Sequence, residues 1–212
     1  VVSLSYVLVV ECQRREHRIK IQQPKGKDSD IMPELMNDIK LVTQVAVFGN
    51  KRAFDSLLRK YQSQVRRFLL SLTLGDRQLA DDLAQETFIK AYANIGKFRG
   101  LSSFSTWLMR IAYNTHYDYR RSHHQTEDMD TPSVAARHAG NDDCTLGMDI
   151  LKALATLKPD ERTCITLQLI DGQPIDKIAA ITGIPQGTVK SHLHRGKEKL
   201  TTYLKDNGYE RR

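Results

Sequence analysis

The stretch from Lys97 to Arg121 carries side chains whose types and spacing suit a nucleic acid. Arginine neutralises phosphates, an aromatic ring stacks on an unpaired base at about 1–3 kcal/mol per base, and an amide hydrogen-bonds a base edge. At helical spacing, such residues fall on one side: Arg110, Tyr113, Asn114, Tyr117, Arg120 and Arg121. This set predicts a face for single-stranded nucleic acid, and the alternative is an ordinary solvated basic face.

The connector just before that face, residues 97–103, adds a ring and a cation. Gly100 permits a tight bend that presents Phe98 and Arg99. A base turned out of a duplex needs a ring to replace its lost stacking and donors to read its exposed edge, and this loop could supply both. The alternative is that Phe98 packs into the core beneath the loop, which is the commoner position for phenylalanine.

The element that positions these groups is a predicted helix that starts after Ser102 or Ser103 as its N-cap. Apolar and small residues recur at i, i+3, i+4 and i+7, and they define a buried side: Phe104, Trp107, Leu108, Ile111, Ala112, Thr115 and Tyr119. The basic and aromatic set is rotated away from that side. One helix therefore combines a core face with a binding face.

Two carboxylates, Asp82 and Glu86, stand one helical turn apart, so a metal site or an acid–base pair must be considered. Further candidate groups are His116, Asp118, His123 and His124. No HExxH, paired CxxC or glycine-rich phosphate loop accompanies them. We therefore predict no metal, no cofactor and no catalytic residue, and a metal-dependent nuclease remains an open alternative.

The composition favours a polyanionic partner, since the 212 residues carry a formal net charge of +7. Three cysteines, Cys12, Cys144 and Cys164, are too far apart for a metal knuckle, and their odd number argues against a disulfide framework. These features fit a reducing cytoplasm. Cys164 lies in an apolar helical pattern and is predicted to be a core residue.

The N-terminal segment differs from the rest of the chain. Val1–Val10 is apolar but too short to span a bilayer, and the residues that follow, up to Asp30, are polar and mixed in charge. We expect residues 1–35 to be disordered or a mis-called extension, with the working protein starting at Met36.

Residues 36–122 read as one helical domain. A short apolar pattern from Asp38 to Phe48 is followed by a long amphipathic helix that ends near Leu72. The next predicted helix, Arg77–Ile95, buries Ala80, Leu83, Ala84, Phe88, Ala91, Tyr92 and Ile95. It leaves four residues on its outer side: Asp82, Gln85, Glu86 and Ile89. An exposed isoleucine among acids indicates a partner surface.

Residues 123–147 are polar and irregular, so we interpret them as a flexible linker to a second helical domain, residues 148–207. In that domain Pro159 opens one helix and Asp171-Gly172 ends it. Gly183-Ile184 then makes the turn of a helix-turn-helix whose last helix runs from Gln186 to about Lys205. Its outward residues suit groove edges and phosphates: Gln186, Thr188, Lys190, Ser191, His194 and Arg195.

Four segments resemble, in order and at the right separations, bacterial sigma factors of the extracytoplasmic-function type: AFDSLLRKYQ, DDLAQETFIKAY, KFRGLSSFSTWLMRIAYNT and GQPIDKIAAITGIPQGTVKSHLHRGKEKL. The resemblance covers Met36 to about Lys205. It implies an all-α protein of two small domains that binds RNA polymerase core through the β′ clamp and the β subunit, and then binds promoter DNA. It also implies an anti-sigma protein as partner, and no small-molecule substrate.

The resemblance assigns roles to single residues. It places Asp82, Gln85, Glu86 and Ile89 on the β′ clamp. It places Phe98 and Asn114 at a pocket for flipped bases of the −10 element, with the neighbouring residues Arg99, Arg110, Tyr113, Tyr117, Arg120 and Arg121. It assigns to the −35 element the residues Gln186, Thr188, Lys190, Ser191, His192, His194 and Arg195.

Two features depart from the usual family pattern. Pro174 stands where Ser or Thr often caps the helix, and His192 and His194 stand where Arg is frequent. The runner-up interpretation is a stand-alone helix-turn-helix regulator, which would bind duplex DNA without polymerase and would leave the basic aromatic helix unexplained.

Overall fold

The computed structural model describes residues 31–124 and 145–207, and these residues form eight α-helices. The helices are α1 (Ile31–Phe48), α2 (Lys51–Leu72), α3 (Arg77–Asn94), α4 (Phe104–His124), α5 (Thr145–Ala155), α6 (Pro159–Ile165), α7 (Ile175–Thr182) and α8 (Gln186–Asp206). A 3₁₀ turn, Ile95–Lys97, follows α3, and a π-helical turn, Thr166–Ile170, follows α6. The predicted all-α class is confirmed. No helix in this part of the chain is long and apolar enough to cross a membrane.

Helices extend across the bounds of two predicted segments. Helix α1 begins at Ile31, so the last five residues of the segment expected to be an extension, 31–35, are helical, whereas residues 1–30 lie outside the described part. The first and last residues of the predicted linker 123–147 belong to α4 and α5, and residues 125–144 lie outside the described part as well.

Short polar side chains fix where α2 and α3 begin. The Asn50 side chain accepts hydrogen bonds from the backbone N–H groups of Arg52 (3.0 Å) and Ala53 (3.3 Å). The Asp76 side chain accepts one from the N–H of Leu79 (3.0 Å). Each bond satisfies a donor that the first helical turn would otherwise leave unpaired. These caps fix the first residues of α2 and α3, and thereby the position of the outer side of α3.

The core of the first domain is the apolar stripe of α2 packed against α3 and α4. Val65, Phe68 and Leu69 of α2 are fully buried, as is most of the predicted stripe. Helix α1 is attached through a buried carboxylate, because Asp38 accepts a hydrogen bond from Lys60 Nζ (2.7 Å) and another from the Tyr61 hydroxyl. This polar link was not predicted from the sequence.

The prediction that Tyr92 of α3 belongs to the core is wrong. Tyr92 is 41% exposed, and its ring packs edge-on against the ring of Phe54 with 4.9 Å between the centroids. A phenol can lie at the rim of a core because its ring is apolar and its hydroxyl stays in water. The helical period therefore gave the right side of the helix but not the depth of this residue.

The second domain is a compact set of short helices beneath α8. Glu161 in α6 is buried and accepts hydrogen bonds from the backbone N–H of Lys158 (3.2 Å) and from Lys199 Nζ of α8 (2.7 Å). Gly196 of α8 is also buried, and a Cβ atom added to it would stand 2.7 Å from Ile165 Cγ1. Helix α8 therefore lies directly on α6.

The two domains also contact each other. Helix α4 packs against α7, and Arg67 Nη2 of α2 donates a hydrogen bond to Asp171 Oδ1 (3.1 Å) beyond the π-helical turn. In the turn between α2 and α3, Gly75 has φ +91°, and a Cβ atom there would stand 2.8 Å from Leu151 Cδ1 of α5. This contact was not predicted, since the sequence indicated two domains on a flexible linker.

Candidate nucleic-acid interface

Helix α4 is oriented by its cap and its buried side. The Ser103 hydroxyl accepts a hydrogen bond from the N–H of Thr106 (3.2 Å), which settles the predicted choice between two serines. Phe104, Leu108 and Ala112 are buried. Four members of the predicted strand-binding set are exposed on the other side: Arg110, Asn114, Tyr117 and Arg121.

Two further members of that set are not free. Tyr113 and Arg120 are only half-exposed, on the side of α4 that meets the second domain. Burial raises the pKa of the Tyr113 hydroxyl, and the carboxylate of Asp160 in α6 raises it further. The Tyr113 and Tyr117 rings lie 6.2 Å apart, so one ring is available to a base and its neighbour is partly covered.

Phe98 is half-buried in an aromatic cluster. Its ring packs edge-on against Phe104 (5.8 Å between centroids) and Trp107 (5.6 Å). Beside it Arg99 is exposed, and Leu101 is 90% exposed. The arrangement fits the expected alternative of a ring beneath the loop, and the base-pocket role of Phe98 stays a prediction. The exposure of Leu101 was not predicted from the sequence, although an apolar residue in a Gly/Ser loop is a signal of such exposure.

The outer side of α3 is as exposed as its spacing predicts. Asp82, Gln85 and Glu86 are all exposed, and Ile89 is 69% exposed. Glu86 forms an ion pair with Lys90 (2.8 Å). Such a contact between exposed charges contributes little to stability. This surface therefore consists of an exposed apolar residue framed by exposed acids.

Helix α8 presents a polar side. Val189 and Leu193 are buried, and this turns outward the exposed residues Gln186, Thr188, Lys190, Ser191, His194 and Arg195. His194 Nδ1 lies 3.3 Å from Glu198 Oε2. His192 differs from the expectation, because it is only half-exposed and its Nδ1 is buried without a partner in the described part of the chain.

The residues considered for a metal site do not converge. Within residues 31–124 and 145–207 no group of three or more His, Cys, Asp or Glu side chains could hold a metal ion. His116 is buried, and burial, with smaller contributions from Arg120 and Arg162, lowers its pKa to about 4. Cys164 is a buried free thiol, as predicted.

These surfaces define a class, helical DNA-binding proteins of two small domains. One domain has an aromatic and basic helix, and the other has a helix-turn-helix. The sequence profile of the family Sigma-70 region 2 matches residues 57–126, and that of Sigma-70, region 4 matches residues 147–200. The chain is 33% identical over 176 residues to the RNA polymerase sigma-H factor of Pseudomonas aeruginosa, covering 74% of this chain and 88% of that protein.

Further similarities are found in one more sequence relative and in two solved structures. Identity to the ECF RNA polymerase sigma-E factor of Escherichia coli K12 is 34% over 188 residues, covering 80% of this chain and 95% of that one. Among solved structures, CnrH in complex with the cytosolic domain of CnrY gives a TM-score of 0.64 at 25% identity, covering 81% of this chain and 99% of that one. The sigma factor RpoE of Bartonella quintana, in complex with the anti-sigma factor NepR, gives 0.62 at 33% identity, covering 72% and 96%.

The chain therefore belongs to the extracytoplasmic-function family of RNA polymerase sigma factors. It directs the polymerase to promoters and initiates transcription there. The interpretation as a stand-alone regulator is not favoured, because region 2 and region 4 are both present and a sigma factor matches this chain over 88% of its own length.

Proposed function

We propose that this sigma factor divides its work among three surfaces: the outer side of α3 binds the polymerase, α4 with its preceding loop binds the −10 element as single strand, and α8 binds the −35 element as duplex. The observation that carries the proposal is the contrast between the exposed groups of α4 and those of α8. Aromatic rings with guanidinium groups suit unstacked bases, and short polar side chains with cations suit groove edges.

The α3 surface suits a basic protein partner. Asp82 and Glu86 supply negative charge, and Ile89 supplies apolar area that water covers in the free protein. Docking on the β′ clamp would remove that apolar area from water, while the acids would orient the approach. The cost of removing the acids should therefore appear in binding and not in folding.

At the promoter, the first, strand-binding set holds bases that have left the stack and so favours the opened form, whereas the second, duplex-binding set acts on the closed duplex. The first consists of Phe98, Arg99, Arg110, Tyr113, Asn114, Tyr117, Arg120 and Arg121. The second consists of Gln186, Thr188, Lys190, Ser191, His192, His194 and Arg195. The protein performs no covalent chemistry, and catalysis belongs to the polymerase.

An anti-sigma protein is proposed as a further partner. One structural relative, RpoE, was solved in complex with the anti-sigma factor NepR, and another, CnrH, was solved in complex with the cytosolic domain of CnrY. The proposed place of action is the cytoplasm, where RNA polymerase works.

The test is reconstitution with core RNA polymerase, with promoter-specific run-off transcripts from genomic DNA as the first readout. The double variant Asp82→Lys/Glu86→Lys should fold but bind core at least about tenfold more weakly, since both carboxylates are exposed. Asp206→Lys, a reversal at an exposed site at the far end of α8, is the matched control. Unchanged affinity in the double variant would remove the assignment of α3, and duplex binding without any polymerase-dependent transcript would favour the regulator.

A further inference from the structure

Asp118 is the one acidic residue of α4, and it is exposed on the same side of the helix as Asn114 and Arg121. It stands one helical turn after Asn114 and one turn before Arg121, so these three side chains form a row along the helix. Tyr113 and Arg120, which are half-buried, lie at the opposite edge of the exposed side. Asp118 is therefore accessible to a ligand.

The carboxylate of Asp118 is unpaired, since no hydrogen bond or ion pair joins it to another residue in the part of the chain that the structure describes. Asp82 on the outer side of α3 resembles it in this respect. The other acids of residues 35–124 have hydrogen-bond or ion-pair partners: Asp38, Asp55, Asp76, Asp81 and Glu86. Pairing within the fold therefore does not account for Asp118.

A carboxylate is unfavourable on a surface that binds only phosphates. The exposed guanidinium groups of Arg110 and Arg121 attract the backbone of a strand, whereas the negative charge of Asp118 repels it. An ionised carboxylate has two acceptor oxygens and no donor. In DNA the hydrogen-bond donors are on the bases, so Asp118 suits a base edge and not the backbone.

Guanine matches a carboxylate better than the other three bases do. An unpaired base exposes its Watson–Crick edge, and on guanine this edge carries two adjacent donors, N1–H and N2–H, beside the acceptor O6. The two oxygens of one carboxylate can accept from both donors. Adenine, cytosine and thymine each place a single donor group beside at least one acceptor atom, which the carboxylate would repel.

The neighbours of Asp118 suit the rest of a guanine nucleotide. Asn114 is exposed one turn away, about 5–6 Å between Cβ atoms, and its amide N–H can donate to O6. Tyr117 is 50% exposed and supplies a ring for stacking, and Arg121 supplies a cation for the phosphate. The row therefore offers a partner to the edge, the ring face and the phosphate of one nucleotide.

We infer that Asp118 selects a guanine in the single strand held by α4, by accepting hydrogen bonds from its N1–H and N2–H groups. The inference rests on the proposed function of α4 and adds to it the identity of a base. Loss of the carboxylate should weaken binding to strands with that guanine. It should leave binding to strands without it unchanged or stronger, because the repulsion of phosphates is lost as well.

The test uses holoenzyme reconstituted with core polymerase, and DNA probes whose mismatched bubble has randomised bases in one strand. Selection by the parent holoenzyme should enrich guanine at one position by about tenfold over each other base, as a good bidentate contact gives. Affinities are then measured with guanine, inosine or 7-deazaguanine at that position. Inosine lacks the N2 amino group and should bind several-fold more weakly, whereas 7-deazaguanine keeps both donors and should bind like guanine.

Asp118→Asn should remove most of this preference and bind the guanine and inosine probes alike. Because Asp118 is exposed and unpaired within the described residues, the variant should fold, which circular dichroism checks. Asp206→Asn is the matched control, since it removes an exposed carboxylate at the far end of α8 and should keep every preference of the parent.

The inference is overturned if the parent prefers guanine at no position, or if Asp118→Asn keeps the preference. It is also overturned if Asp118→Asn weakens binding to all probes alike, which would indicate a structural role. Unchanged binding of every bubble probe by Asn114→Ala/Tyr117→Ala would instead count against the proposed function of α4, and the inference would fall with it.

Discussion

Two helices of this protein, α4 and α8, have the same length of 21 residues and are both proposed to bind DNA, yet they are built differently. Helix α4 has an aromatic and basic side that the second domain half-covers. Helix α8 has a polar side whose residues, His192 apart, are exposed.

The difference fits what each helix is proposed to bind. A closed duplex presents edges and phosphates to an exposed polar helix without any rearrangement of the protein. Unpaired bases need rings, and rings left in water are a cost that a contact with another domain removes. The helix proposed to bind a single strand is therefore the one whose rings another domain covers in part.

The largest effect is expected where α8 is attached to its domain. Glu161→Ala would leave Lys199 without the buried carboxylate that it contacts at 2.7 Å. Because Lys199 is 40% exposed by its side chain, part of its charge can return to water, so we expect a loss of about 2–3 kcal/mol in the free energy of unfolding of the second domain.

Thermal unfolding followed by circular dichroism checks this, and Asp149→Ala is the control. Asp149 also pairs with a lysine, Lys152 at 3.3 Å, but at the surface. If both variants lose the same stability, the Glu161 pair is no better placed than an ordinary surface pair.

The next effect separates opening from binding. Phe98→Ala should let the holoenzyme find promoters but should impair strand opening by about 1–3 kcal/mol, the value of one stacked base. Permanganate reactivity of unpaired thymines, on duplex and on pre-opened templates, measures it. A pre-opened template should restore much of the activity.

Phe98→Leu is the matched variant, since it keeps apolar packing against Phe104 and Trp107 but has no ring. If Phe98→Leu opens promoters as well as the parent, the ring serves only the aromatic cluster. In that case Phe98 does not belong to the strand-binding surface, and the comparison with α8 rests on the residues of α4 itself.

A smaller effect is expected at α8. Lys190→Ala and Arg195→Ala should each weaken initial promoter binding, and each should reduce the slope of log affinity against log salt by about 1. Binding to duplex promoter fragments across a salt series measures both. Pre-opened templates should give little rescue, and strong rescue would erase the distinction between the two helices. Lys197→Ala, a change at an exposed lysine outside the proposed contact set, is the control.

The smallest effect is expected on the stability of the second domain when the pH is lowered. Burial raises the pKa of Glu161, but the hydrogen bonds from Lys199 and from the backbone of Lys158, with the charges of Lys199 and Arg195, lower it more, so the pKa lies below 4.5. The charged carboxylate therefore stabilises the second domain above about pH 4.5, and this contribution is lost as the pH falls through the lowered value. Denaturant titrations at pH 6 to about pH 3 should show a steeper loss in the parent than in Glu161→Gln.

The sequence was sufficient to predict which side of a helix packs into its own domain. The buried side of α4 and the exposed quartet of α3 follow from a period of 3.6 residues, and a serine cap was predicted at one of two neighbouring positions, of which the structure selects Ser103. The turn at Gly183, with φ +75°, follows from the glycine itself.

What the sequence could not show are contacts across distant segments. Asp38 was not recognised as a buried carboxylate, because its partners lie on the next helix. Tyr113 and Arg120 were expected on an open side, since nothing in α4 indicates that the second domain would pack against this helix. A tyrosine that meets water and one that meets another domain have the same periodic position.

Gly196 shows how much can depend on an absent side chain. Because nothing projects from this position, α6 lies against the backbone of α8, with the side chain of Ile165 filling the space. A methyl group there would wedge the two helices apart and tilt α8 as a rigid rod. Every residue from Gln186 to Arg195 that we propose to face the groove would then change direction at once, so promoter preference could change without replacement of any proposed base-contacting residue.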